Sequence, residues 1–371
     1  MRYRFLIAGG LVLAMIALCG GMVLSLTNIG AMIPRPDIGN TRWAWFNTNR
    51  YSAEATDEKR FAVNAPAKLN VENAAGKVTV TGGSGKEIVI AIRKKGFGST
   101  QADADSALAA LKIDMTQNGD AVTVKVIPQN PANQVDFTIT VPEETAITTS
   151  NLFGDTTLSN IKGDIDLKTN AGSVRVSDVQ GKIKLQSDFG EIRLERVTAD
   201  ALDIGSNAGS IKLKQVTVKE TVTVKTDFGN VNLDQAIAKS YDLKTNAGKI
   251  EVNGASGSLK AATEFGGIEV TGGEKVQLDL KSNSGSIRYS GSLGEGPHTV
   301  RTDFGSITLI LPKDSALNVD LKTDLGSIKS DLPLTTSGSQ SRTHWSGTIN
   351  GGGAGLNAKT NNGSVAIEIL K

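Results

Sequence analysis

The stretch SDFGEIRL, Ser187 to Leu194, holds the Asp-Phe-Gly triplet through which a protein kinase binds its metal ion. The pattern returns as TDFGNVNL from Thr226, TEFGGIEV from Thr263 and TDFGSITL from Thr302. A catalytic triplet is needed once. The kinase's Gly-rich loop, strand lysine and His-Arg-Asp loop are missing. A corner that recurs is architecture, and its spacing describes what is built.

Working outward, the corner glycines are Gly154, Gly172, Gly190, Gly209, Gly229, Gly248, Gly266, Gly285, Gly305 and Gly326, 18 to 21 residues apart, with a further one at Gly363. Fixed-period self-similarity in this range signals a solenoid or array. One unit reads Leu202, Ile204, Ser206, Asn207, Gly209, Ile211, Leu213. Alternation at period two gives each strand one buried face, so Ile165 and Leu167, Ile183 and Leu185, Val222 and Val224 stack in successive units. Asn or Asp bonds its own backbone at the bend, and Gly supplies positive φ. The Ser or Thr shares the parity of the buried residues, which aims its hydroxyl at a backbone group of the corner. Thr169 and Val174 stand an odd number of residues apart, so the corner carries the next strand onto a new face of the same core. An antiparallel meander is the competing arrangement, but it leaves one apolar sheet face uncovered. A single unit cannot bury its own apolar face, so neighbours must stack. The expected fold is an all-β repeat β-solenoid (β-helix) with units of about 19 residues.

A second periodicity lies inside the first. Asn-Ala-Gly corners at 170–172, 207–209 and 246–248, and Asn-Ser-Gly at 283–285, alternate with acidic, Phe-bearing ones. Phe153, Phe189, Phe228, Phe265 and Phe304 therefore recur every 36 to 39 residues. Either a coil holds about 37 residues and like stacks on like, or it holds about 19 and the two corner types interleave. Ladders of like residues favour the larger coil. Against it, Asp188, Asp227, Glu264 and Asp303 would then lie one strand spacing apart, at roughly 1 to 4 kcal/mol per pair. Lys225 and Arg301 offset part of that, and the larger coil is the expectation. The Phe series reads first as packing that seals one edge of the coil, and second as an exposed ridge for a partner. The corner acids read as turn formers with solvated carboxylates. The nonapeptide of calcium-binding β-rolls is absent, leaving a cation ladder or catalytic carboxylates as lesser readings.

Outside the periodic region, the chain opens with Arg2 and Arg4 and then a charge-free run from Phe5 to Pro34. An apolar core of about 20 residues can span a bilayer as a helix. Residues 1–34 are expected to be an uncleaved signal-anchor, with the leading arginines cytoplasmic and the rest outside. That makes the protein single-pass in the cell membrane, with Trp43, Trp45 and Phe46 as interface anchors or first packed residues. Cys19, the only cysteine, excludes an intramolecular disulfide and a cysteine-based metal site. Without Arg2 and Arg4, the 40 basic residues fall to 38 against 38 acidic ones, so the field that draws nucleic acid is absent. Residues 35–140 read as an αβ cap leading into the solenoid of 141–371. In the cap, GGSGK enters a strand instead of a phosphate-binding helix. Further on, Ser99 caps a short helix with Ala104, Ala107, Leu108 and Leu111 on one face.

The anchor, the cap and the repeated [ST]-[ND]-x-G-x-[IV] corners resemble a bacterial family of putative adhesins, a domain of unknown function with a β-helix head related to auto-transporter-adhesin-like heads. The resemblance spans Phe61 to Lys371, most tellingly VENAAGKVTVTG at 71–82 and LNAKTNNGSVAIEI at 356–369. It implies a fold and a surface role and transfers no catalytic residue. The expected function is a non-catalytic binding or scaffolding surface in the envelope for an extended protein or glycan, with no cofactor, metal or nucleic acid. Outward positions Arg175, Arg193, Lys212, Asn232 and Glu251 vary in charge, as a heterogeneous surface would. The rival is a polysaccharide-acting β-helix enzyme using the corner carboxylates. His298 and His344, the only imidazoles, read as surface decoration.

Overall fold

The computed structural model describes residues 51–127, 131–336 and 341–371. The apolar segment 1–34 and Trp43, Trp45 and Phe46 lie outside them. Among the described residues no helix is long and apolar enough to cross a membrane.

Period-two alternation becomes parallel stacking. Ile165 faces Ile147 on one neighbouring strand and Ile183 on the other. Val222 faces Leu202, 20 residues back, and Tyr241, 19 residues on. These offsets make a coil of about one sequence unit, so the chain is a solenoid and not a meander. The inward residues Leu167, Leu185, Ile204 and Val224 are fully buried in one continuous core. Each such side chain contributes roughly 1.5 to 3 kcal/mol when buried, and only the neighbouring coils supply that cover.

The larger coil of about 37 residues is not formed, and the corners show why the smaller one wins. Asn207 donates to Asp188 at 2.7 Å, Asn246 to Asp227 at 2.8 Å and Asn361 to Asp303 at 3.1 Å, while Asn283 donates to Glu264. Interleaving places an amide between successive carboxylates, so like charges that would otherwise be neighbours become hydrogen-bonded to a neutral donor. The Asn side chains therefore reach the preceding coil instead of closing a turn on their own backbone.

The corner glycine has two duties. Gly190 adopts φ +132°, which L side chains rarely adopt. A Cβ built there would also collide with the carbonyl oxygen of Gly172, the corner of the neighbouring coil. The same contact repeats from Gly154 to Gly363, glycine over glycine. Across it, the Gly190 N–H donates to the Ala208 carbonyl at 3.0 Å and the Gly209 N–H to the Phe228 carbonyl at 2.8 Å. The expected hydroxyl contact is present in the later coils: Thr245 donates to the Gly229 carbonyl at 3.0 Å and Thr302 to that of Gly285 at 2.8 Å. The buried hydroxyls of Thr169, Ser187 and Ser206 find no protein partner.

A second bend escaped the reading of the sequence. Asn160, Asp178, Arg196, Gln215 and Gln235 lie in the left-handed region with φ of 53 to 57°. Each sits between two buried residues three apart, such as Leu158 and Ile161 or Leu194 and Val197. That odd step, visible in the sequence, is the signal.

Both ends depart from sequence order. The strands Ala67–Ala75 and Val78–Gly83, joined at Gly76, lie between Ala121–Ile127 and Gln134–Pro142 on one side and Thr145–Phe153 and Thr156–Lys162 on the other. At the far end, Ala354–Asn362 and Val365–Ile369 insert between the Gly305 coil and the Gly326 coil. Antiparallel strands cover the terminal coils: Lys112–Asn118 and Glu87–Gly98 at the first, His344–Ile349 at the last. Such covers blunt the open sheet edges that invite association. The helix spans Gln101–Ala110 and is capped by Thr100, not Ser99, in a capping box with Asp103. Ala104 is its buried residue, close over Gly96 and Gly98 of the neighbouring strand.

Gly190→Ala is expected to lower stability by about 3 kcal/mol or more, combining backbone strain with overpacking against Gly172. Lys214→Ala, on an exposed outward position, should stay within about 0.5 kcal/mol. Urea denaturation of both variants is the check, and similar costs would remove the stacking role of the corner.

Candidate functional site

The Phe series does not seal the coil. Phe153, Phe189, Phe228, Phe265 and Phe304 are 40%, 50%, 63%, 69% and 59% exposed. Each Phe stands two residues after a buried Ser, Thr or Asn and so shares its pleat parity, yet at the bend into the corner glycine it is left outside the core. In register, Phe189 lies between Ala171 and Ala208, Phe228 between Ala208 and Ala247, and Phe265 between Ala247 and Ser284. Leu325, 70% exposed and in register with Asn362, extends the line. It was missed because TDLG at 323–326 replaces the aromatic of TDFG.

The result is a single file of large apolar side chains, one per two coils and roughly 9.6 Å apart at a strand spacing of about 4.8 Å. At about 200 Å² per Phe, the five rings expose on the order of 550 Å². That reaches the upper end of the largest apolar patch on a typical monomer.

Beside the ladder the strand face opens into a groove of about 430 Å³, lined by Lys168, Gln186, Asp188, Gly205, Asn207 and Lys225. Gly205 lies between Gln186 and Lys225 in register. Its backbone is not left-handed, and a Cβ there would meet nothing within 4 Å.

On the adjoining face, Arg175, Arg193, Lys212, Asn232 and Glu251 form one column in register. Much of its charge is paired internally. Lys212 meets Glu191 at 3.2 Å, and Lys249 bridges Glu251 and Glu269 at 2.6 Å each. The hydrogen bond from Lys249 holds the Glu251 carboxyl below its usual range.

The two histidines differ from each other. His298 is buried, contrary to its reading as surface decoration. Its Nδ1 accepts from the Leu278 N–H at 3.2 Å and its Nε2 donates to the Gly294 carbonyl at 3.2 Å. Desolvation pushes its pKa down. His344 is half-exposed and pairs through Nε2 with Asp320 at 2.7 Å. Neither faces the ladder or the groove in the company of a nucleophile. Among the described residues no group of three His, Cys, Asp or Glu side chains could hold a metal ion.

Parallel coils stacked through glycine corners, with an aromatic file along one edge, define a β-solenoid with a lateral display surface. The chain belongs to the Toastrack DUF4097 family, whose pattern matches residues 67–368. The resemblance carried by VENAAGKVTVTG and the serial corners is thus borne out. No curated protein matches the chain. Similar solved structures include a putative adhesin from Bacteroides fragilis NCTC 9343, 14% identical, covering 85% of this chain and 97% of that one, with a TM-score of 0.36. Another is a putative cell adhesion protein from Clostridium sporogenes ATCC 15579, 11% identical, covering 85% and 100%, with a TM-score of 0.21.

Two outcomes follow from this geometry. Phe228→Ala should leave thermal stability within about 0.5 kcal/mol of the parent. By contrast Phe137→Ala, in the terminal coil and 1% exposed, should lose roughly 3 to 5 kcal/mol. For His298, the unfolded chain binds a proton near 6.5 while the folded chain resists it. Stability should therefore fall as pH drops below about 6.5, because the unfolded state then holds more protons. Urea midpoints of the parent should decline more steeply between about pH 7 and pH 5 than those of His298→Gln; parallel slopes would clear His298 of the effect.

Proposed function

We propose that this chain is a membrane-anchored, extracytoplasmic β-solenoid that serves as a non-catalytic binding or scaffolding surface in the bacterial envelope. The observation that carries the reading is the exposed aromatic file. Leaving five Phe side chains in solvent at the same corner position contributes nothing to the core, and apolar patches of this size mark interaction sites. The anchor is supported by the charge-free run from Phe5 to Pro34 behind Arg2 and Arg4, which orients the chain with its bulk outside the membrane. Solenoids present long faces that suit extended partners. Against the enzyme reading, the corner carboxylates recur in coil after coil and take Asn donors from the next coil, which is how a ladder maintains itself.

The test is retention of envelope components, both glycan and protein fractions, on the immobilised full-length chain, compared with a Phe189→Ala/Phe228→Ala double variant. The parent is expected to retain a component that the folded double variant releases. Depolymerisation of an envelope glycan by the parent, abolished by Asp188→Asn, would replace the binding reading with the enzymatic one.

A further inference from the structure

The geometry points to an occupant for the ladder and its groove: one extended, uncharged, β-1,4-linked polysaccharide running along the stack, with alternate sugars seated on exposed Phe rings. This deepens the binding reading above and rests on it.

The first support is period. In a β-1,4-linked chain each sugar is turned over relative to the last, so equivalent faces recur every second sugar. That repeat is close to the distance between alternate coils, roughly 9.6 Å. The ladder offers a ring at that interval from Phe153 to Phe304, with the apolar Leu325 one step beyond, over small residues such as Ala171, Ala208 and Ala247 that leave the intervening sugar room. The apolar C–H face of a pyranose complements the negative face of an aromatic ring.

The second support is shape. Ten coil steps separate Gly154 from Gly326 along the stack, so the file is about 48 Å long and one side chain wide. A protein interface concentrates its anchors in a compact, desolvated centre, whereas a linear polymer engages a line.

Gly205 is the third. A strand-interior glycine that is neither left-handed nor sterically required weakens its strand, and often marks a close approach by another molecule. Gly205 opens the groove between Gln186 and Lys225, three residues before Ala208, which Phe189 and Phe228 flank in register. Asp188, Asn207 and Lys168 stand around it as hydrogen-bonding groups for hydroxyls.

Charge is the fourth. The acidic positions Asp227 and Asp303 next to the file are offset by Lys225 and Arg301 two residues earlier on the outward face, and Lys168 stands in register with Gln186, two residues before Asp188. The mixture gives no single-sign field for a polyanion or polycation, which favours a neutral chain.

The experiment is calorimetric titration of the full-length chain with cello-oligosaccharides and β-1,4-N-acetylglucosamine oligomers of increasing length, with α-linked malto-oligosaccharides as comparison. Affinity is expected to rise with each added disaccharide for a β-linked series and not for the α-linked one. Phe228→Ala should weaken binding of the longer oligomers roughly 2- to 10-fold. Gly205→Gln should weaken it while leaving the melting temperature unchanged or raised. Equal affinity for α-linked chains, or a β-series without length dependence, would overturn the assignment. So would concentration-dependent self-association abolished by Phe228→Ala, which would give the ladder to a second copy. Retention of an envelope protein on the Phe file, with no oligosaccharide binding, would sink the glycan and leave the binding function standing. Failure to retain any envelope component would remove both.

Discussion

The structure depends on a steric constraint at one atom. At the corner, neighbouring coils approach so closely that a side-chain carbon on Gly190 would occupy the space of the Gly172 carbonyl oxygen. A hydrogen in that place lets the backbone bend and lets the Gly190 N–H reach the Ala208 carbonyl. The hydrogen-bond ladder thereby continues around the bend instead of breaking there. Since buried backbone groups must find partners, a corner unable to hydrogen-bond would be a fault repeated in every coil. The glycine column converts it into a seam.

Once the seam sets the coil at about 19 residues, alternation along the stack has a job. Carboxylates in adjacent coils would repel at close range, and Asn in every other coil supplies a neutral donor instead. The same alternation spaces the aromatic side chains, placing Ala or Ser between Phe residues. Rings in every coil would stack one strand spacing apart into a continuous column. In alternate coils they stand apart as separate platforms, so the electrostatic arrangement that stabilises the corner also produces its outward display.

A stack has two ends, and each would leave a row of unpaired strand groups. This chain resolves both by leaving sequence order. At the start, Ala67–Ala75 is laid down and later enclosed when Ala121–Ile127 pairs on its far side. At the close, Ala354–Asn362 returns to fit beneath the Gly305 coil, leaving the Gly326 coil outermost under the antiparallel strand His344–Ile349. Contacts between distant segments at each end fasten the terminal coils by long-range pairing, so neither end rests on local contacts alone.

Much of this was legible in the residues. The period-two runs, the corner glycines and the Ser or Thr before them determine a stacked β architecture, because a strand with one apolar face and a Gly bend has no other way to cover that face. The likeness to a family of β-helix domains of unknown function was readable in VENAAGKVTVTG and its successors. The left-handed bend at Asn160 and Asp178 was written in the three-residue step between buried positions, a weaker mark because polar residues of several kinds adopt it. Coil length could not be read, since one alternating pattern satisfies two stackings until the partner of each corner is known. Nor could the exposure of Phe189 or the burial of His298, because a side chain's solvent depends on which coil, loop or end strand lies across from it. The sequence by itself determined the unit and its bend, through local parity and sterics; register between units, the order of the end coils and the aromatic face they present were decided only by tertiary pairing between residues far apart in the chain.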